Sequence, residues 1–479
     1  MTSGTCSCAR IAEHLPPAGR FLARSGHSGV GGADSATRTG YVGPKRPDLT
    51  PIDRRILALA LPALGALAAE PLYRLVDTAI VGRLGKEQLG GVAVAVSILS
   101  IVIAGSNFLA YGTTQRVANR LGADDSTGAA DGGVQALWLA LFIGAITAPL
   151  LAIFAEPLVS LLGTSDDVLP FAITYLRIST IGVPFVLVGL AAQGTQRGAS
   201  DYRSPLVVLV ATNVVNVVVE VVLVFGLDLG VAGAAWSTVV SQAIAGLALW
   251  RLTRPYLLGA SARRPRWTEM APLLSAGRHL LLRVGSMLMV FTGATSIAAR
   301  VDDATLAAHS ITVTMFLFLA LTLDALAIPA QTLVAEELGQ GGSGAAVVSE
   351  RAVRLSIRIG GGLAVLVALG APLIARAFTD ESDVLSRATA GLWVLAAVLV
   401  PGSLAFATDG SLIGAGDYRF LGRAALGYLL AVIPIAALVL AAPSLGIVGI
   451  WGGLLVWMML RAAVNQRRAR HVLGATRVH

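Results

Sequence analysis

Charge is what this chain has least of. Only 13% of its 479 residues are Asp, Glu, Lys or Arg against 55% hydrophobic ones, and the mean hydropathy is +0.74. A soluble globular domain carries about 25% charged residues, so this composition cannot supply a water-facing shell and reads as a polytopic membrane protein. Cysteine is nearly missing as well: Cys6 and Cys8 are the only two. Two thiols near the terminus make neither a zinc site nor a disulfide framework, and thiol or redox chemistry is excluded from the cysteine-free body. No HExxH, Walker or GxSxG segment occurs, so nothing speaks for an enzyme and no cofactor is expected. The first 45 residues lack the apolar core of a secretory signal. Being rich in Gly, Ser, Ala and Arg, residues 1–50 are expected to form a disordered cytoplasmic extension.

Apolar runs are abundant. Twelve segments, near 56–82, 88–113, 133–155, 168–193, 205–226, 230–250, 279–299, 305–330, 353–377, 385–410, 422–442 and 446–465, are each long enough to cross about 30 Å of hydrocarbon as a helix. With both termini placed in the cytoplasm, the cytoplasmic connections and tails from Lys45 onward carry 25 Lys and Arg, while the external ones carry Arg83, Lys86, Arg300, Arg376 and Arg387. That is the positive-inside pattern, and it predicts a multi-pass protein of the cytoplasmic (plasma) membrane. It also accounts for the isoelectric point near 10.0: basic residues such as Arg251, Arg254, Arg263, Arg264 and Arg266 flank helix ends, and nucleic acid is not an expected partner.

The chain is also written twice. Thr78–Val96 aligns without a gap to Thr295–Val313 at an offset of 217, a register that holds from Leu121-Gly122 to Leu338-Gly339. Further on, RGASDYR (Arg197–Arg203) meets IGAGDYR (Ile413–Arg419), and Gly230 and Gly233 meet Gly446 and Gly449, at an offset of 216. Six helices per half make parallel repeats about an axis along the membrane normal, a plan of transporters whose site lies between the halves. The expected division is a six-helix lobe over 51–250, a cytoplasmic linker over 251–278 with three prolines, a second lobe over 279–466, and a cytoplasmic tail over 467–479.

Against this background each ionisable residue at membrane depth costs about 2.5 to 3.5 kcal/mol and invites a functional reading. Glu70, Arg74 and Asp77 share one face of the first helix, beside Pro71, which removes a helix hydrogen bond. They couple an ion through Asp77 or form a self-neutralised stripe. Asn213, Asn216 and Glu220 share a face of the valine-rich fifth helix. Their oxygens suit a small hard cation, so that Asp77, Asn216 and Glu220 could hold sodium; the alternative is an interhelical clamp. In the second half Asp324 sits mid-span in the eighth helix and is a candidate for the ion-coupling or substrate cavity; Asp409, near the cytoplasmic end of the tenth, is a candidate for the same role or is explained by capping or solvation. His309 reads as a residue at the external boundary or as a proton relay.

The run EPLYRLVDTAIVGRLG (Glu70–Gly85) followed by LGGVAVAVSIL, with LAAHSIT (Leu306–Thr312), LTLDALA (Leu321–Ala327), GTQRGASDYR and VFGLDLGVAGAAWST (Val224–Thr238), resembles the MATE (multidrug and toxic compound extrusion) family, and within it the DinF-like branch (DNA-damage-inducible protein F). The similarity covers residues 52–466. It implies an all-α fold of twelve transmembrane helices in two pseudo-symmetric six-helix lobes. It further implies export of amphipathic, often cationic small molecules in exchange for protons or sodium; apart from the resemblance, the expected partners are those substrates and the lipid bilayer, and the expected state is a monomer. Asp77 matches the family's first-helix aspartate, and Asn216 and Glu220 match a fifth-helix Asn and Asp. Glu220 is one methylene longer than that Asp, and Arg74 lies one turn from Asp77, where it could switch partner between Glu70 and Asp77. The alternative within the same architecture is a flippase for lipid-linked precursors. That task needs several cations at depth in both halves, for which Arg74 and Arg177 are the candidates. An intramembrane enzyme comes after it.

Overall fold

A computed structural model describes residues 49–475. The expected extension through residue 48 with Cys6 and Cys8, and the last four residues of the expected tail, lie outside the described residues. Among the described residues twelve helices are long and apolar enough to cross a membrane: α1 (Pro51–Val81), α2 (Lys86–Gly122), α3 (Ser126–Ile153), α4 (Leu169–Gly198), α5 (Arg203–Gly226), α6 (Gly230–Leu257), α7 (Trp267–Val301), α8 (Asp303–Gly339), α9 (Ala345–Phe378), α10 (Ser382–Gly414), α11 (Tyr418–Ala441) and α12 (Pro443–Gly474). They correspond one to one with the apolar runs. Several overrun them, because a helix continues into polar turns wherever those turns find partners: α2 carries on for nine residues past the expected residue 113, through Gln115, Arg116, Asn119 and Arg120, which pack at one end of the bundle.

Local chemistry sets the helix ends and irregularities. α1 starts at a capping box in which Thr50 Oγ1 accepts the Asp53 N–H at 3.3 Å and the Asp53 carboxylate accepts the Thr50 N–H at 2.9 Å, with Pro51 in the first turn. α5 is built largely from valine, a mediocre helix former in water. In hydrocarbon the backbone has no other donor or acceptor to use, so the helix forms regardless. Its final turn, Val222–Gly226, loosens to a π-type turn closed by the Leu227 N–H on the Val222 carbonyl at 2.9 Å, directly after Glu220. Such turns concentrate near functional side chains. α2 is interrupted at Asn107 and α4 tightens at Thr180–Gly182.

Each half has its own apolar core. One, drawn from residues 290–462, gathers Leu323 of α8, Leu392, Leu395 and Leu399 of α10, and Trp451 and Trp457 of α12. The other centres on Leu109, Leu139, Leu176 and Leu187 of α2, α3 and α4, and takes in Met270, Leu273 and Leu280 from the first turns of α7. α10 is the most buried span, whereas α9 and α11 expose rows of large side chains, Leu366, Leu369 and Leu373 on one and Leu430, Ile433 and Leu438 on the other, as lipid-facing helices do.

The halves touch at the end of the bundle that holds the α6–α7 connection. There Asn119 Nδ2 donates to the Ala335 carbonyl at 3.1 Å, Gln331 Nε2 to the Tyr111 carbonyl at 2.7 Å, and the Tyr202 and Thr332 hydroxyls lie 2.6 Å apart. Arg55 and Glu336 pair at 2.7 Å. Gly122 and Gly339 lie so close to the opposing backbone that a Cβ on either would collide with it. This end is closed.

Candidate ion-coupling and substrate site

Between the helices of the first half lies a cavity of about 530 Å³ walled by α1, α2, α4, α5 and α6, with Ile328 of α8 at its edge. Glu70 and Arg74 project into it. They pair at 2.7 Å, and Arg74 also reaches the Ser100 hydroxyl at 3.3 Å. Arg197 of α4 lines the same space and donates to Gln193 Oε1 at 3.0 Å.

Asp77 does not join them. One turn beyond Tyr73, its side chain is turned into the protein and only 8% exposed, so the expected charged face of α1 divides into a cavity-facing pair and a buried acid. Tyr73, which does line the cavity, stands between: its hydroxyl donates to Asp77 Oδ1 at 3.1 Å. Opposite Asp77 is Glu220, fully buried at 0% exposure. The two carboxyl groups face each other across the α1–α5 boundary and interact electrostatically, an arrangement in which two unshielded negative charges repel. No donor among the described residues reaches either Glu220 oxygen. Tyr175 of α4 and Thr238 of α6, hydroxyls 3.3 Å apart, sit within electrostatic reach and complete a polar knot.

The two asparagines of α5 part company. Asn213 Nδ2 donates to the Ala69 carbonyl at 3.1 Å, clamping α5 to α1. Asn216, one turn before Glu220, is on the cavity wall, and its Oδ1 is buried without a donor. The oxygens of Glu220 and Asn216 that lack donors, with the Asp77 carboxylate beside them, are the chemistry a proton or a small hard cation would use.

The second half has a cavity of about 410 Å³ between α7, α8 and α10, which meets the first at Tyr111 and Ile328. Phe291, Phe316 and Phe406 make its walls apolar, and Arg283, Asp324 and Gln331 supply its polar lining. Asp324 is half-buried and faces Arg283. Asp409 also lines this cavity and is neither capped nor solvated, so of the two readings of its place near a helix end capping and solvation drop out. It is 3% exposed and is gripped by the guanidinium groups of Arg283 from α7 and Arg461 from α12, while Asn465 Nδ2 donates to its other oxygen at 2.5 Å. Tyr428 of α11 donates to Asn465 Oδ1 at 2.8 Å. Arg461 packs over Phe406 and Trp457.

Arg283 and Arg461, counted from sequence with the cytoplasmic charges, lie well inside α7 and α12 and pair with Asp409, while Arg197, counted with them, sits in the last turn of α4 and lines the first cavity from that end. The signal was present for Arg283 and Arg461, which fall inside apolar runs. Arg177, named from sequence as a cation at depth, is exposed and lines neither cavity. His309 is buried, 3.2 Å from the Thr295 hydroxyl through Nε2 and tilted against Trp451.

Two apolar-walled cavities, one in each half of a duplicated twelve-helix chain, follow the plan of multi-pass membrane transporters. The chain belongs to the MatE family, whose model matches residues 62–222 and 281–438. It is 34% identical over 438 residues to Protein DETOXIFICATION 44, chloroplastic, of Arabidopsis thaliana, covering 88% of this chain and 83% of that one. It is 29% identical over 440 residues to DNA damage-inducible protein F of Escherichia coli K12, covering 88% and 94%. A solved structure of MATE in a bent conformation superposes with a TM-score of 0.83 at 21% identity, covering 89% of this chain and 96% of that one. The fold is that of MATE transporters, as the motifs implied.

Proposed function

We propose that this protein is a secondary active exporter of amphipathic, often cationic compounds, driven by inward movement of protons or sodium. It would lie in the cytoplasmic membrane with both termini on the cytoplasmic side. The observation that carries the coupling is the Asp77–Glu220 pair: two buried carboxyl groups that face each other, with no donor on either Glu220 oxygen, favour taking up a proton or cation over holding two bare charges. Tyr73 links that pair to the cavity wall. Loading the pair from the external side relieves the repulsion, lets α1 bend at Pro71, and narrows the cavity where Glu70, Arg74 and Asn216 stand; the substrate leaves. Arg74, paired with Glu70 here, is one turn from Asp77 and exchanges partner as charge arrives. One pH unit is worth about 1.4 kcal/mol per proton, a tenfold substrate ratio.

The test is export of a fluorescent cationic dye from reconstituted vesicles under an imposed proton gradient or an imposed sodium gradient, for the wild type and Asp77→Asn. Movement driven by one gradient and lost in the variant supports the antiporter and names its ion; unchanged export by Asp77→Asn removes the mechanism.

A second reading, flipping of lipid-linked precursors, draws on an arginine in the lining of each cavity, Arg197 in the first and Arg283 in the second. It predicts translocation of a labelled lipid pyrophosphate in vesicles without any dye transport.

A further inference from the structure

The α6–α7 connection is not a loose tether. Its backbone is strapped to the first turns of α3: Asp131 accepts the Ala262 N–H at 2.8 Å and the Ser261 hydroxyl at 2.7 Å, and Gln135 Nε2 donates to the carbonyls of Ala262 and Arg264 at 3.0 and 2.9 Å. Gln135 Oε1 in turn accepts the Arg266 N–H at 2.7 Å, and Trp138 Nε1 donates to the Arg263 carbonyl at 3.0 Å. With carbonyls and N–H groups held inward, the side chains of Arg263, Arg264 and Arg266 are left exposed on a fixed backbone.

Two more exposed arginines stand at the adjoining end of α6. Arg251 is free, and Arg254 lies 4.0 Å over the ring of Trp250. Among the described residues none of these five guanidinium groups has a carboxylate partner within salt-bridge distance. The neighbouring acids are engaged elsewhere. Asp131, in electrostatic range of Arg266, holds the strap. Asp201 accepts the Tyr256 hydroxyl and caps α5, and Glu269 faces Arg116. Trp250 and Trp267 are exposed at the ends of the two spans that this connection joins, Trp267 by 66%. Tryptophan at that depth sits among lipid headgroups. Unpaired arginines fixed between two such tryptophans can therefore reach the headgroup layer of the same leaflet.

We infer that residues 251–267 form a preorganised binding surface for anionic phospholipid headgroups. Clustered basic residues beside a span draw about 1 kcal/mol each from an anionic surface, and the strap removes the ordering cost that a flexible basic loop would incur. The inference is independent of the transported substrate.

The experiment is a thermal-unfolding titration of the detergent-solubilised full chain with phosphatidylglycerol, phosphatidylcholine or inorganic phosphate, for the wild type and the combined variant Arg263→Gln, Arg264→Gln, Arg266→Gln. The wild type should be stabilised by phosphatidylglycerol alone. In the variant, with unchanged melting in the absence of lipid, the concentration for a half-maximal shift should rise on the order of a hundredfold. Should the triple variant fail to fold, Arg264→Gln alone should raise it about fivefold, and the three arginines changed to lysine should keep most of the response. Equal response of wild type and variant to phosphatidylglycerol overturns the surface. So does stabilisation by inorganic phosphate at matching concentration, which would mark a free-anion site instead.

Discussion

Gly122 and Gly339, 217 positions apart and equivalent in the repeat, each press against the other's helix: a Cβ on Gly122 would fall on the Glu336 carbonyl, and one on Gly339 on the carbonyl of Asn119. This pseudo-symmetric contact lets α2 and α8 approach closely enough to seal the connection end of the bundle.

A side chain here acts as a wedge. Gly122→Val should weaken the closed state by about 1 to 3 kcal/mol and open the cavities toward that end. The described body contains no cysteine, so Ile328→Cys, at the meeting of both cavities, can report it once Cys6 and Cys8 are changed to serine. Labelling by an impermeant maleimide applied from the connection side should rise at least tenfold in the Gly122→Val background.

Coupling should fail differently at the two members of the acid pair and at Tyr73. Asp77→Asn and Glu220→Gln each replace a carboxyl that, on the proposed mechanism, takes up the exchangeable proton or cation, so gradient-driven export should fall by tenfold or more while dye binding at equilibrium persists. Tyr73→Phe keeps the ring on the cavity wall and both carboxyls in place, removing one hydrogen bond to Asp77; a smaller loss, of a few-fold in rate, is expected. Side-by-side initial rates in vesicles distinguish these outcomes.

The Asp409 cluster should show itself in stability first. Asp409→Ala leaves Arg283 and Arg461 buried against each other, and breaking such a pair costs about 3 to 5 kcal/mol. A large drop in melting temperature is expected. Changing Arg461 to Met together with Asp409→Ala should recover part of it, since one uncompensated charge goes with it; a double variant no better than Asp409→Ala would contradict the assigned pairing.

Outside the spans, Asp302 joins α7 to α8. The Arg387 guanidinium and the Thr305 N–H, at 2.8 Å from Oδ1, hold its carboxyl below the usual carboxylate range. A depressed folded-state value means that this contribution is present above the unfolded value near about 3.9 and is lost as pH falls through the lower one. Melting curves between about pH 5 and pH 3 should therefore fall less steeply for Asp302→Asn than for the wild type. The difference should be small, because the pair is half exposed and screened.

Much of this was legible without coordinates. Apolar runs and scarce charge determined the twelve helices, because a backbone in hydrocarbon has no partner but itself, and an ungapped repeat determined that they form two related halves. The motifs around Asp77, Asn216 and Glu220 marked which polar residues to watch. Helical periodicity, however, describes a face of one helix and not what that face meets. It grouped Glu70, Arg74 and Asp77, yet the neighbours of α1 divide them, with Glu70 and Arg74 in the cavity and Asp77 against Glu220 of α5. Position along the tenth helix left Asp409 between a cavity role and a capped or solvated helix end, and it could not foresee that α7 and α12 bring two arginines onto it. Nor could linear order tell that Tyr73 and Thr238 would gather at the acid pair, or that Gln135 would fasten the connection 127 residues away at Ala262. The partner of a buried charge is chosen by the packing of helices distant in sequence, and only the tertiary structure decides it.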